Sequence, residues 1–193
     1  MYKKLVKIGA TGSKGRFLNQ ITGCFFMIEI LIPLGAFLGI FIGILIAKST
    51  REEIRNNRSY ILVLSKIIIG ILIFIILITG KSLSLLFIGV LLGFLSAYLL
   101  SEFLFLGLEL GIILLQKEVV LVASSLVFMY SLLYGSLLRI TKLNFTRILI
   151  LFIMFFLPFS VFLFETIIMK DLIVGFIAGG LTNYLIGNKF ALI

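Results

Sequence analysis

From residue 21 to its end the chain is a succession of apolar runs separated by short polar breaks. The runs cover 21–47, 60–79, 82–115, 119–138, 148–169 and 172–187, and the longest break, 48–59, has only 12 residues. About 20 apolar residues wound as a helix cross a hydrocarbon layer about 30 Å thick. Five of the runs suit one helix each. The third, of 34 residues, would be about 51 Å long as a single helix. It is therefore either one strongly tilted helix or two short ones turning near Ser101 and Glu102. The pattern predicts an all-α integral membrane protein, a polytopic bundle of about six transmembrane helices with five to seven allowed. The first run is expected to be kinked or re-entrant at Pro33, because proline removes a backbone donor and frees a carbonyl. No Pro- or Ser-rich linker divides the chain. Residues 1–20 read as a basic tail and 21–193 as a single transmembrane domain.

Composition sharpens this picture. The chain is 62% hydrophobic and 13% charged, far from the roughly 45–50% and 25% of soluble domains, and its mean hydropathy is +1.30. The expected partner of most of this surface is the lipid bilayer, which points to the cytoplasmic membrane. A net charge of +9 would suit nucleic acid. The basic residues, however, sit in tails and loops beside apolar runs, where Lys and Arg set membrane orientation and meet anionic headgroups. Nucleic acid is accordingly not an expected partner. The tail, "MYKKLVKIGATGSKGRFLNQ", carries five basic residues and no acid. The run behind it is too long for a signal-peptide core of 7–15 residues. Gly9, Gly12, Lys14 and Gly15 miss the spacing of a phosphate-binding loop.

Charge asymmetry orients the runs, since cytosolic loops collect Lys and Arg. The break 48–59 holds four basic residues and 139–147 holds three, whereas Lys81, Lys117 and Lys170 stand singly in theirs. Splitting the third run into a hairpin puts both rich breaks and Lys189 on one side, eight basic residues against three. If the first run enters and returns near Pro33, both termini are cytosolic and six crossings remain. If it crosses once, the count is seven and the tail lies outside.

Within the apolar runs, small residues recur every fourth position. Gly35, Gly39, Gly43 and Ala47 form one stripe, Gly89, Gly93, Ala97 and Ser101 a second, Gly175, Gly179, Asn183 and Gly187 a third. Positions four apart share a helix face. In lipid, helices associate through close backbone approach along such small-xxx-small faces. The stripes predict tight helix–helix contacts, within the chain, in a homo-oligomer or with a partner membrane subunit.

Four of the eight acids lie inside apolar runs: Glu29, Glu102, Glu109 and Glu165; Lys66 is the basic counterpart. An ionised group at the bilayer centre costs about 2.5–3.5 kcal/mol, so such residues face protein or water and mark candidate sites. Lys66 is shallow enough to snorkel, and Glu165 lies near Lys170 at a segment end. Glu29 precedes Pro33 by one turn, a placement like the irregular ion sites of transporters. Glu102 and Glu109, seven residues apart, share a face about 10 Å apart along an unbroken helix.

The chain has no histidine, one cysteine (Cys24) and one aspartate (Asp171). Histidine-ligated zinc hydrolysis, a Ser-His-Asp triad and a twin-aspartate intramembrane protease are all excluded, as is an internal disulfide. No cofactor or metal site is expected, and no enzyme. The expected function is a small transporter or channel-like protein for a small solute or cation. The alternative is a non-transporting subunit or scaffold that uses its stripes to hold partner helices.

Overall fold

The computed structural model describes residues 31–114, 119–140, 145–162 and 170–187. Among these residues the fold is entirely helical: α1 (Leu31–Ser49), α2 (Arg51–Asn56), α3 (Arg58–Ile78), α4 (Leu83–Ser96), α5 (Glu102–Leu114), α6 (Val120–Ile140), α7 (Phe145–Phe162) and α8 (Lys170–Ile186). Three helical stretches are long and apolar enough to cross a membrane: Leu31–Ser49, Arg58–Ile78 and Val120–Leu138. Among the described residues these three are the helices of spanning length; the 14-residue α4 and the 13-residue α5 are each only about 20 Å long.

Of the two alternatives for the third apolar run, the structure has the two short helices: the run breaks at 97–101 between α4 and α5. Whether the first run is kinked or re-entrant turns on residues 21–30, which lie outside the described residues. The described helix has the buried Pro33 in its first turn and continues to Ser49, about 28 Å in 19 residues. The tail and residues 21–30 lie outside the described residues.

The surface pattern inverts that of a soluble protein. Leu34, Leu38, Phe41 and Leu45 of α1, Ile67, Ile71, Phe74 and Ile78 of α3, and Leu91, Leu92 and Leu95 of α4 are exposed. Continuous apolar faces of this kind are what lipid covers and water does not tolerate. Inside, Phe37, Phe103, Phe155 and Tyr130 are buried and meet edge-on or tilted, with ring centroids 5.5–6.4 Å apart. These rings join α1, α5, α6 and α7 into one core.

Two seams of closely apposed helices frame that core. Ideal Cβ atoms placed on Gly89 and Gly93 of α4 would strike the carbonyls of Leu172 and Phe176 in α8, and those on Gly175 and Gly179 would strike Leu86 and Val90 in α4. Higher numbers on one helix meet higher numbers on the other, so α4 and α8 run parallel. The same holds for α1 and α6: Gly39 meets Phe128, Gly43 meets Leu132 and Gly135 meets Ile40. Side-chain bulk has been given up because backbone occupies its place. Gly35 is the exception. Expected in the same contact, it has nothing within 4 Å and lines an open groove with Leu31, Ile32, Ala36, Ser125 and Met129. The α1–α6 seam closes only from Gly39 onward.

Candidate functional site

The site is built on α5, and α5 begins where it does because α4 stops early. Ending a helix leaves carbonyls without intrahelical partners. Here α8 supplies donors: the Asn183 side-chain amide donates to the Phe94 carbonyl at 3.0 Å, and the Tyr184 hydroxyl lies 3.2 Å from the Ala97 carbonyl and donates to that of Leu100. At the other end of the seam, the Asp171 carboxylate accepts the backbone N–H groups of Lys81 and Ser82 at 3.0 and 2.9 Å. It acts as a cap contributed from a neighbouring helix, while standing in the first turn of α8, where a negative charge is favoured.

From the break, α5 descends antiparallel to α8. Its first residue lies within electrostatic reach of Tyr184, and Phe105 packs on Gly180 and Phe176. Ten of its thirteen residues are buried, so the helix is enclosed on most of its circumference. Gly107 lets it approach the backbone of Phe155 in α7. Glu109 is two residues, about 200°, further round. Its face therefore points away from α7, between the Phe105 side that meets α8 and the Phe103 side that meets Tyr130 and Tyr134 of α6. α3 packs on both α6 and α8 and so closes the space beyond.

Glu102 and Glu109 share this face in one unbroken helix, so the break at 97–101 leaves them aligned. The two carboxylates are otherwise unlike. Glu102, 7% exposed, sits at the mouth of the break, where Tyr134 hydrogen-bonds to it. Glu109, about 10 Å deeper, is wholly buried, and neither of its oxygens has a hydrogen-bond partner among the described residues. Burying an ionised carboxylate with no partner is prohibitively costly. Among the described residues nothing offsets a charge on Glu109, so the form this setting accommodates is the neutral carboxyl group. No group of three His, Cys, Asp or Glu residues that could hold a metal occurs among the described residues.

No family model, curated protein or solved structure matches the chain. The site has to be read from its own chemistry.

The remaining candidates fall apart from this pair. Lys66 is half-buried in the first half of α3, beside the exposed Tyr60 turn. Glu29 and Glu165 lie outside the described residues. Six of the eight stripe glycines, Gly39, Gly43, Gly89, Gly93, Gly175 and Gly179, lie against the backbone of a neighbouring helix, and Gly35 and Gly187 do not. Sequence reasoning missed Asp171, Asn183 and Tyr184 as the groups that fix the α4–α8 seam. Asn183 was visible as the one amide in a small-residue stripe. Nothing in the sequence showed that α4 would end opposite it.

Proposed function

We propose that the protein is a seven-crossing membrane protein that passes a small cation, most simply a proton, across the bilayer, with Glu109 as the intramembrane binding group. The observation that carries the reading is a single carboxylate, fully buried in the middle of a nearly enclosed helix, with both oxygens unpartnered among the described residues. A proton needs one carboxylate oxygen, whereas a dehydrated metal cation needs several oxygen ligands. Glu102 and its hydrogen-bonded Tyr134 stand on the same face nearer the end of the bundle, where a proton can be exchanged with water.

The crossings are α1, α3, α4, α5, α6, α7 and α8, with α2 in the connection between the first two. This arrangement puts the basic breaks 48–59 and 139–147 and the Gly187 end of α8 together, and Lys81, Lys117 and Lys170 at the opposite end. By the excess of Lys and Arg the first of these ends is cytosolic, and Leu31 then lies at the far face. A scaffold working through its stripes has less support, because neighbouring helices of the chain cover all of those glycines except Gly35 and Gly187.

The test is flux in reconstituted liposomes. An imposed pH gradient, or a sodium or potassium gradient, should collapse with the native protein. Glu109→Gln should abolish the flux without changing thermal unfolding in detergent, and Lys66→Gln should keep it. Native flux in a correctly folded Glu109→Gln protein would refute the proposal.

A further inference from the structure

α2 stands at a membrane boundary whichever way the protein is inserted. It lies between the end of Leu31–Ser49 and the start of Arg58–Ile78, two of the stretches long and apolar enough to cross a bilayer. Chain at that level meets headgroups and water. Four basic residues crowd it: Lys48, Arg51 and Arg55 are exposed and Arg58 is half-buried. Among the described residues no ion pair engages any of the four.

Helix geometry separates these cations from the two acids beside them. Ile54 is the residue of α2 that the protein buries. At about 100° per residue, Arg51 and Arg55 stand about 60° and 100° to one side of Ile54. Glu53 stands about 100° to the other side, and Glu52 about 160° round, facing away from the bundle. The acids have a local reason to be there, since a helix favours negative charge in its first turn. Arg51 has none: it opens α2, the end at which a positive charge is disfavoured. An anion from outside the chain would offset Arg51 and Arg55 together, because they share one flank.

The surface next to this flank bears on which anion fits. Leu45 and Ile46, in the last turns of α1, and Tyr60, Val63 and Leu64, in the first two turns of α3, are all exposed. A soluble polyanion would gain nothing from these apolar side chains. A phospholipid uses both parts of the surface. Its phosphate meets the arginines, its acyl chains lie along the greasy ends of the two spanning helices, and a tyrosine suits the boundary between them. Arginine is the fitting cation, because its planar fork meets two phosphate oxygens at once.

We propose that the Arg51 and Arg55 flank of α2, with Lys48 and Arg58 on either side of it in the chain, binds the headgroup phosphate of an anionic phospholipid whose chains run along the exposed ends of α1 and α3. This site is independent of the Glu109 reading. In the orientation proposed above it belongs to the cytosolic leaflet, where acidic lipids give the surface its negative potential. Glu52 and Glu53 limit the site to one flank, since a lipid phosphate approaching from the Glu53 side would meet a like charge.

The test is lipid binding by the full-length protein in a neutral maltoside detergent. Short-chain phosphatidylglycerol is the probe and phosphatidylcholine of the same chain length the reference, and native mass spectrometry counts the lipid retained across the titration. The protein should bind phosphatidylglycerol in preference. Each charge near a lipid surface changes affinity about fivefold, so Arg51→Gln combined with Arg55→Gln should weaken phosphatidylglycerol binding about 25-fold. Glu52→Gln, which removes a negative charge beside the flank, should tighten it severalfold, and this variant decides the matter should the double one not fold. Equal binding of the two lipids, or unchanged affinity in either variant, overturns the proposal. So does full displacement of the lipid by soluble glycerol phosphate at the same concentration, which would make the flank a site for free phosphate and leave the apolar faces without a part.

Discussion

Replacing Gly93 by alanine tests how the bundle is held. A Cβ there would lie 2.7 Å from the carbonyl carbon of Phe176 and 2.9 Å from the amide nitrogen of Gly180, with the Phe176 oxygen closer still. Non-bonded heavy atoms settle near about 3.5 Å, so the nearest contact, the Phe176 oxygen, requires α4 and α8 to part by about 1–1.5 Å. The obstructing atoms are backbone and cannot rotate aside. The polar ties along the seam have little slack either. Asn183 to Phe94 is 3.0 Å and Asp171 to Lys81 and Ser82 is 3.0 and 2.9 Å, so that parting takes all three beyond hydrogen-bond length. Overpacking costs about 1–3 kcal/mol, and each hydrogen bond lost in a membrane protein about 0.6 kcal/mol. The better helix propensity of alanine returns at most about 1 kcal/mol. The net expectation is a loss of about 2–4 kcal/mol, read as the shift in midpoint of SDS-driven unfolding in mixed micelles. Gly179→Ala should cost about the same, and the double variant less than the sum, because the first substitution already opens the seam. Gly70→Ala, with nothing within 4 Å of its Cβ, is the control. If Gly93→Ala unfolds at the same midpoint as Gly70→Ala, the close approach of α4 and α8 is not what holds them.

Glu109→Leu should leave the unfolding midpoint unchanged or raise it while abolishing flux, since an unpartnered buried carboxylate contributes no stability; a midpoint lowered by more than about 2 kcal/mol would show that it holds a structural partner. Asp171→Ala should cost about 1 kcal/mol through loss of a cap, with amide hydrogen exchange at Lys81 and Ser82 accelerated and that at Ile68 and Ile69 unaffected. Tyr184→Phe should lower stability by about 0.6 kcal/mol, up to about 1.7, and leave the α4–α5 break in place; unchanged stability would show that water serves the Ala97 and Leu100 carbonyls as well. Gly35→Ala should be tolerated in both stability and flux, and a marked loss in either would mean the α1–α6 groove is occupied in the working protein.

Hydropathy alone located the helices, because in a chain this apolar the polar breaks are the only punctuation. The predicted runs 60–79 and 119–138 match α3 and α6 closely. The length of the third run put a possible turn near Ser101 and Glu102, at the end of the observed 97–101 break, but not the groups that hold it, since "AYLLS" is as greasy as its flanks and Asn183 and Tyr184 lie more than 80 residues away. The stripes foretold close approach without naming partners, because small-xxx-small faces carry no address. Glu109 was legible as an acid in the wrong solvent. Its isolation was not, because that depends on which side of α5 faces α7.

The shortness of α4 bears on the membrane as well as on the protein. At about 20 Å it falls about 10 Å short of a typical hydrocarbon thickness, and its outer face of leucines leaves no protein to make up the difference. With α4 as one of the proposed crossings, the bilayer would pinch beside it, at a cost of a fraction of a kcal/mol for each ångström, bringing headgroups and water toward the level of Tyr98 and Leu99, which are 64% and 91% exposed. Lipids with longer acyl chains raise that cost and those with shorter chains relieve it, so acyl-chain length becomes a dial on how readily this protein is accommodated.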